Sequence, residues 1–174
     1  IFPDHLDAHE NLKEYFEAKK TIAKHQNRKD SLFFFKDKAG SRRLAHVSRG
    51  HKIAVDHEKF TLFGQTDLKI VGFHNFRNAV MAANLALKLG VPSKIALRVA
   101  KNFCGLEHRL EFIRKTDRVR FYNDSASTNP ETSAAAIHAF PHEPKILIAG
   151  GQDKNLDYRP LARAIKSASW RTNI

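Results

Sequence analysis

The order of elements after Gly105 constrains this chain most. Residues 118–122 read as a strand, 130–140 as an Ala-rich helix, 145–149 as a buried strand and 159–167 as the start of another helix. A β-α-β-α order predicts a parallel sheet with crossover helices, because parallel neighbours cannot be joined by a tight hairpin. Ligands of such sheets collect beyond the carboxyl ends of the strands, so polar residues there are the first candidates for function.

Upstream of Gly105 the pattern is different. Apolar positions Leu12, Tyr15, Phe16, Ile22 and Ala23 recur at helical spacing and predict an amphipathic helix over 8–26. Residues 31–35 (SLFFF) read as a buried strand and 36–40 as a turn, with short β-like pieces at 51–55 and 60–63. A further short strand, 68–71, ends at Gly72. A helix over 75–89 should stop at Gly90, with Pro92 just beyond, and Ser93 is placed to cap a helix over 94–103. The change of pattern near Gly105 predicts two domains, 1–105 and 106–174, the second truncated because the chain stops without a closing element.

Composition narrows the setting. A hydrophobic share of 42% supports a normal core, and a chain that starts at Ile1 is expected to be cut from a longer one. No apolar run of membrane length or leader pattern occurs, so a soluble protein is expected, without membrane insertion. Cys104 is the single cysteine, which excludes an intrachain disulfide and a cysteine-based zinc cage and favours a reducing cytoplasm. The formal charge of +12 suits a nucleotide or phosphorylated substrate. Acidic residues lie among the basic ones, and no zinc-finger spacing or RNA-binding aromatic signature occurs, so no nucleic-acid partner is expected.

Four polar groups stand out. Asn123-Asp124-Ser125-Ala126-Ser127-Thr128-Asn129 follows the strand at 118–122 and precedes a helix, so it reads as a binding loop, although any one Ser or Thr there also suits a helix cap. Gly150-Gly151-Gln152-Asp153-Lys154 follows the strand at 145–149, where paired glycines permit a tight turn and Lys154 adds a mobile charge. Asp4-His5-Leu6-Asp7-Ala8-His9 has the donors for a divalent cation, Mg²⁺ or Mn²⁺ rather than structural zinc, or is simply a solvated terminus. His74-Asn75-Phe76-Arg77-Asn78 opens a helix after a glycine turn, where an Asn serves equally as a cap.

Lys19 falls on the apolar stripe of the first predicted helix. Burial would lower its pKa and expose a neutral amine to CO₂, giving a carbamate able to bind a metal. The alternative is a lysine that snorkels to solvent from the edge of that stripe.

These groups occur together with Phe2-Pro3-Asp4-His5-Leu6-Asp7, Ala18-Lys19, Gly72-Phe73-His74-Asn75 with Asn78, and Gly105-Leu106-Glu107-His108-Arg109 with Glu111. In that order, and with Asn123-Asp124-Ser125, Thr128-Asn129, Gly150-Gly151 and Asp153-Lys154, the chain resembles the Mur ligases. The Asn-Asp-Ser block points to their D-glutamate-adding branch. The fold implied is α/β: the end of a central ATPase-type domain followed by a truncated Rossmann-like C-terminal domain. The reaction implied is ATP-dependent, with UDP-N-acetylmuramoyl-L-alanine and D-glutamate as substrates in peptidoglycan synthesis and a monomer as the full-length form. The resemblance assigns Mg²⁺ to His5 and to Lys19 as its carbamate, and gives both a catalytic role. It places Asn75 and Asn78 near the adenine, Arg109 at the phosphates and Asp124 at the ribose. Ser125, Thr128 and Lys154 would face the amino-acid end.

Two departures are visible. Ala126 stands where the family commonly has lysine, and no G-x-x-x-x-G-K-[ST] occurs in the 174 residues, so the phosphate cradle is missing and this chain alone should not turn over. A sister ligase adding diaminopimelate or lysine, or a folylpolyglutamate synthase, is the nearest alternative. A stand-alone basic nucleotide-binding module is the more distant one.

Overall fold

The computed structural model describes residues 9–152, 154 and 156–168. Strands β1 (Ser31–Phe35) and β2 (His51–Val55) pair in parallel, Ser31 opposite His51 and Phe35 opposite Val55. Helix α2 (Ala39–Val47) makes the crossover and packs on β1 and on the preceding helix α1 (Leu12–Lys24). The α1 N-terminus is capped by Asn11, whose Oδ1 accepts from the N–H groups of Lys13 and Glu14, each at 3.0 Å.

Two long helical elements follow. Helix α3 (Phe73–Lys88) buries Phe76, Val80 and Ala83 against Val55 and Phe63, with Phe33, Phe35 and Phe60 around them. Removing such side chains from water stabilises the fold by about 1.5–3 kcal/mol for each large one. The helix stops as its sequence suggests. Gly90 takes φ 86°, its N–H reaches Leu87 O at 3.0 Å, and Val91 N–H reaches Ala86 O at 3.0 Å. This paired closure satisfies carbonyls that the helix end would leave open. Helix α4 (Ser93–Asn102) then packs back on α3, with Pro92 rather than Ser93 at the cap position.

Beyond Gly105 an antiparallel pair, β3 (Glu111–Lys115) and β4 (Arg120–Asn123), precedes α5 (Pro130–His138) and α6 (Arg159–Ser167). The two helices meet through Ala134, Ile137 and Ala164. The α5 N-terminus is set by Asn129, whose Oδ1 takes the Thr132 N–H at 2.9 Å, with Pro130 in the first turn, where its missing donor costs nothing.

The architecture is mixed α/β with two small sheets, and it corrects several expectations. Residues 60–63 and 68–71 form no strand; Phe60 and Phe63 instead meet edge to face at 4.8 Å in the core. The turn expected over 36–40 ends at Lys38, the cap residue before α2. The strand at 118–122 starts at Arg120 and pairs antiparallel with β3, so no parallel sheet is present after Gly105 among the described residues. Residues 145–149 form neither a strand nor a buried segment, since Ile146 is 89% and Ile148 94% exposed. Among the described residues no helix is long and apolar enough to cross a membrane.

Candidate functional site

A cleft of about 690 Å³ lies between α3, α4 and the loop 103–110. Alanines of the facing helices, among them Ala79, Ala83, Ala96 and Ala100, keep its walls thin, while Phe103, Leu106 and Tyr122 supply apolar area. Three of the residues singled out in the sequence line it together: Asn75 and Asn78, one helical turn apart on α3, and Arg109. Asn75 is buried and donates its Nδ2 to Val71 O at 2.8 Å, which pins the start of α3 to the segment before it. A cleft with apolar walls and a few amide and guanidinium groups suits a flat heteroaromatic ring attached to an anion.

The entrance to α3 depends on Gly72. It holds φ 93°, and a Cβ there would stand 2.8 Å from His74 Cε1 and 3.0 Å from the Ala139 Cβ. Only a residue without a side chain fits between the helix start and the end of α5.

The loop that presents Arg109 is held in an unusual shape by the Asn-Asp-Ser segment. His108 and Leu110 adopt φ 63° and 45°, left-handed values that non-glycine residues rarely take. Asp124 Oδ1 accepts the Leu110 N–H at 2.9 Å and its Oδ2 accepts the Ser127 hydroxyl at 2.5 Å. Ala126 N–H donates to His108 O at 2.9 Å, Asn123 Nδ2 lies 2.8 Å from His108 Nδ1, and Glu111 Oε2 takes the His108 N–H at 2.8 Å. The two motif blocks, distant in sequence, thus form one hydrogen-bonded unit that aims Arg109 at the cleft. Asp124 does not line the cleft; it reaches it through Leu110, which does.

His74 completes this unit and was not singled out as a site residue. Burial holds its imidazole pKa below the ordinary 6.5, the Asp124 charge opposes that shift, and the Arg109 charge adds to it. Burial is the largest of the three influences and favours the neutral ring. Phe103, Leu106 and Tyr122 were also missed, because nothing in their local sequence distinguishes a cleft wall from ordinary core.

Other expected site residues fall elsewhere. Ser125 and Thr128 are exposed on the Asn-Asp-Ser loop and do not line the cleft. Lys154 lies partly buried on the irregular run between Gly151 and α6. Asp4, His5, Asp7 and Asp153 lie outside the described residues. Lys19 is exposed, as in the solvent-reaching alternative, with its Nζ 5.2 Å from the centre of the Tyr15 ring. The reason is that α1 turns Tyr15 and Ala23 inward and leaves Ile22, on the predicted stripe, 69% exposed. Among the described residues no group of three His, Cys, Asp or Glu side chains converges as a metal cage.

No family model matches the chain. Over 93% of its length it is 37% identical to a UDP-N-acetylmuramoylalanine--D-glutamate ligase of Clostridium novyi. It is 34% identical over the same share to the enzyme of that name from Clostridium acetobutylicum, and 37% to that of Clostridium beijerinckii. The chain is a homologue of part of a Mur ligase. It spans 39% of the length of these curated relatives. The matched stretch contains the cleft and both loops that frame it.

Proposed function

We propose that the chain is the nucleotide-cleft segment of an ATP-dependent ligase that joins D-glutamate to UDP-N-acetylmuramoyl-L-alanine in cytoplasmic peptidoglycan synthesis. The observation that carries this reading is the convergence of Asn75, Asn78 and Arg109 on one apolar cleft in a chain whose relatives bear that ligase's name. The domains proposed are 1–105, the later part of a central ATP-binding domain, and 106–174, part of a Rossmann-like C-terminal domain. The relatives' names favour D-glutamate over the amino acids of sister ligases.

ATP supplies the phosphoryl group that activates the alanyl carboxylate, so that the D-glutamate amine can displace phosphate. The chain's part is to bind and orient. The apolar walls take the adenine, Asn75 and Asn78 offer amide groups at its edge, and Arg109 neutralises phosphate charge. Aiming a guanidinium at developing negative charge is effective because the loop bonds hold it in place before the reaction. Asp124, proposed at the ribose, has both oxygens engaged by Leu110 and Ser127, each with lone pairs left for a sugar hydroxyl. Ser125, Thr128 and Lys154 are proposed at the amino-acid end.

The described donors do not by themselves make a Mg²⁺ or Mn²⁺ site. His5 and carbamylated Lys19 remain its proposed ligands on the family resemblance.

The test is a chimera in which residues 1–174 replace the matching stretch of the Clostridium novyi enzyme. Phosphate release with UDP-N-acetylmuramoyl-L-alanine that requires D-glutamate supports the reading. Release with a different amino acid instead would overturn it.

A further inference from the structure

The parallel strands β1 and β2 are entered through two loops whose basic side chains the ligase reading leaves unused. In the first, the Asn27 N–H donates to Asp30 Oδ2 at 2.7 Å and the Asp30 N–H to Asn27 O at 3.1 Å, which puts Arg28 at the tip of a tight turn. In the second, Ser48 is 4% exposed, its hydroxyl donates to Gln26 Oε1 at 2.7 Å, and it accepts the Gly50 N–H at 2.9 Å. The loops are locked together, since His51 N–H reaches Asp30 O at 2.8 Å and a Cβ on Gly50 would stand 2.7 Å from that same oxygen.

Between them lies a pocket of about 760 Å³ lined by Arg28, Arg49, His51 and Lys52 with Asn27, Ser48 and Gly50. It shares no residue with the cleft at Asn75, Asn78 and Arg109. No ion pair among the described residues involves Arg28, Arg49 or Lys52, whereas Lys36, Arg77, Lys101, Arg120 and Arg159 each hold a carboxylate. The adjacent acid, Asp30, turns an oxygen onto the Asn27 main chain. Three cations kept together on such turns with no ion-pair partner among the described residues repel one another, and that cost is recovered when a multivalent anion enters. None of the lining side chains is apolar, which disfavours insertion into a lipid surface.

We propose that this pocket binds a soluble anion carrying two or more phosphoryl groups, with Arg28, Arg49 and Lys52 as its ligands. The probe is inorganic tripolyphosphate, titrated calorimetrically into the 174-residue chain. At about 0.15 M salt, where loose surface attraction is screened, saturable binding is expected. It should weaken by about tenfold or more in the R28A/R49A double variant. A Lys13→Ala/Lys166→Ala control, with the same loss of charge elsewhere, should bind as the parent does. Lys52→Gln should weaken binding in the same direction, and keeps the test decisive if the double variant does not fold. The proposal is overturned by an absence of saturable binding, by equal losses in both double variants, or by loss in Asn78→Leu, which would place the anion in the other cleft. Binding to phosphatidylglycerol vesicles without binding of tripolyphosphate would equally overturn it.

Discussion

The guanidinium of Arg77 holds both carboxylate oxygens of Asp37 at 2.7 Å while its centre lies 4.2 Å from the middle of the Phe35 ring. One buried side chain thereby fixes α3 to the carboxyl end of β1. The Arg77 bonds lower the Asp37 pKa from 3.8 to about 2. Its carboxylate therefore contributes stability that is complete above pH 3.8 and is lost as pH falls through about 2. Asp37 is partly exposed, so solvent reduces the size of the effect. Denaturant unfolding of Asp37→Asn should show a flatter decline over that window than the parent. Arg77→Ala should cost about 2 kcal/mol at neutral pH.

Gly72 offers a test of the junction between α3 and α5. Gly72→Ala combines φ 93° with a Cβ 3.0 Å from Ala139. A loss of about 1–3 kcal/mol is expected in the unfolding midpoint. An unchanged midpoint would mean that the helix start tolerates a shift.

Asp124 is expected to act first through the loop it holds. Asp124→Ala leaves the Leu110 N–H without its acceptor and removes the support of a residue at φ 45°, so about 1–3 kcal/mol of stability should be lost. Asp124→Asn keeps one acceptor oxygen and should cost less. The two variants separate if unfolding and limited proteolysis of the 105–111 loop are followed together.

His74 reports on the charges around it. Its depressed pKa means that its neutral form contributes stability that is complete above pH 6.5 and lost as pH falls through the lower folded value. In an NMR titration, Arg109→Ala should raise the His74 pKa and Asp124→Asn should lower it further. Insensitivity to both substitutions would separate His74 from the unit described above.

Helices with strong end signals were legible from sequence. The Ala-rich run from Pro130 announced α5, and Gly90 the end of α3. Helix α2 was not, because Lys38 caps it without a side-chain bond and Gly40 in its first turn reads as a turn residue. The apolar run 145–149 looked like a central strand, but apolar character makes a strand only where a neighbour supplies hydrogen bonds, and none is paired with it among the described residues. At the site, Asn75, Asn78 and Arg109 were readable as motif residues. The positioning role of Asp124 was not, since it depends on main-chain groups brought from 14 residues away. Ile22 shows the limit of spacing: a stripe predicts a buried face only if the rest of the fold covers it.

The most direct measurement is a titration of the chain with a fluorescent N-methylanthraniloyl derivative of ADP, repeated with Asn78→Leu and Arg109→Ala. Saturable binding is expected that ADP displaces and both substitutions weaken, Asn78→Leu by blocking the cleft and Arg109→Ala by removing phosphate contacts. Binding that neither substitution changes, or no displaceable binding at all, would contradict the assignment of this cleft to the nucleotide.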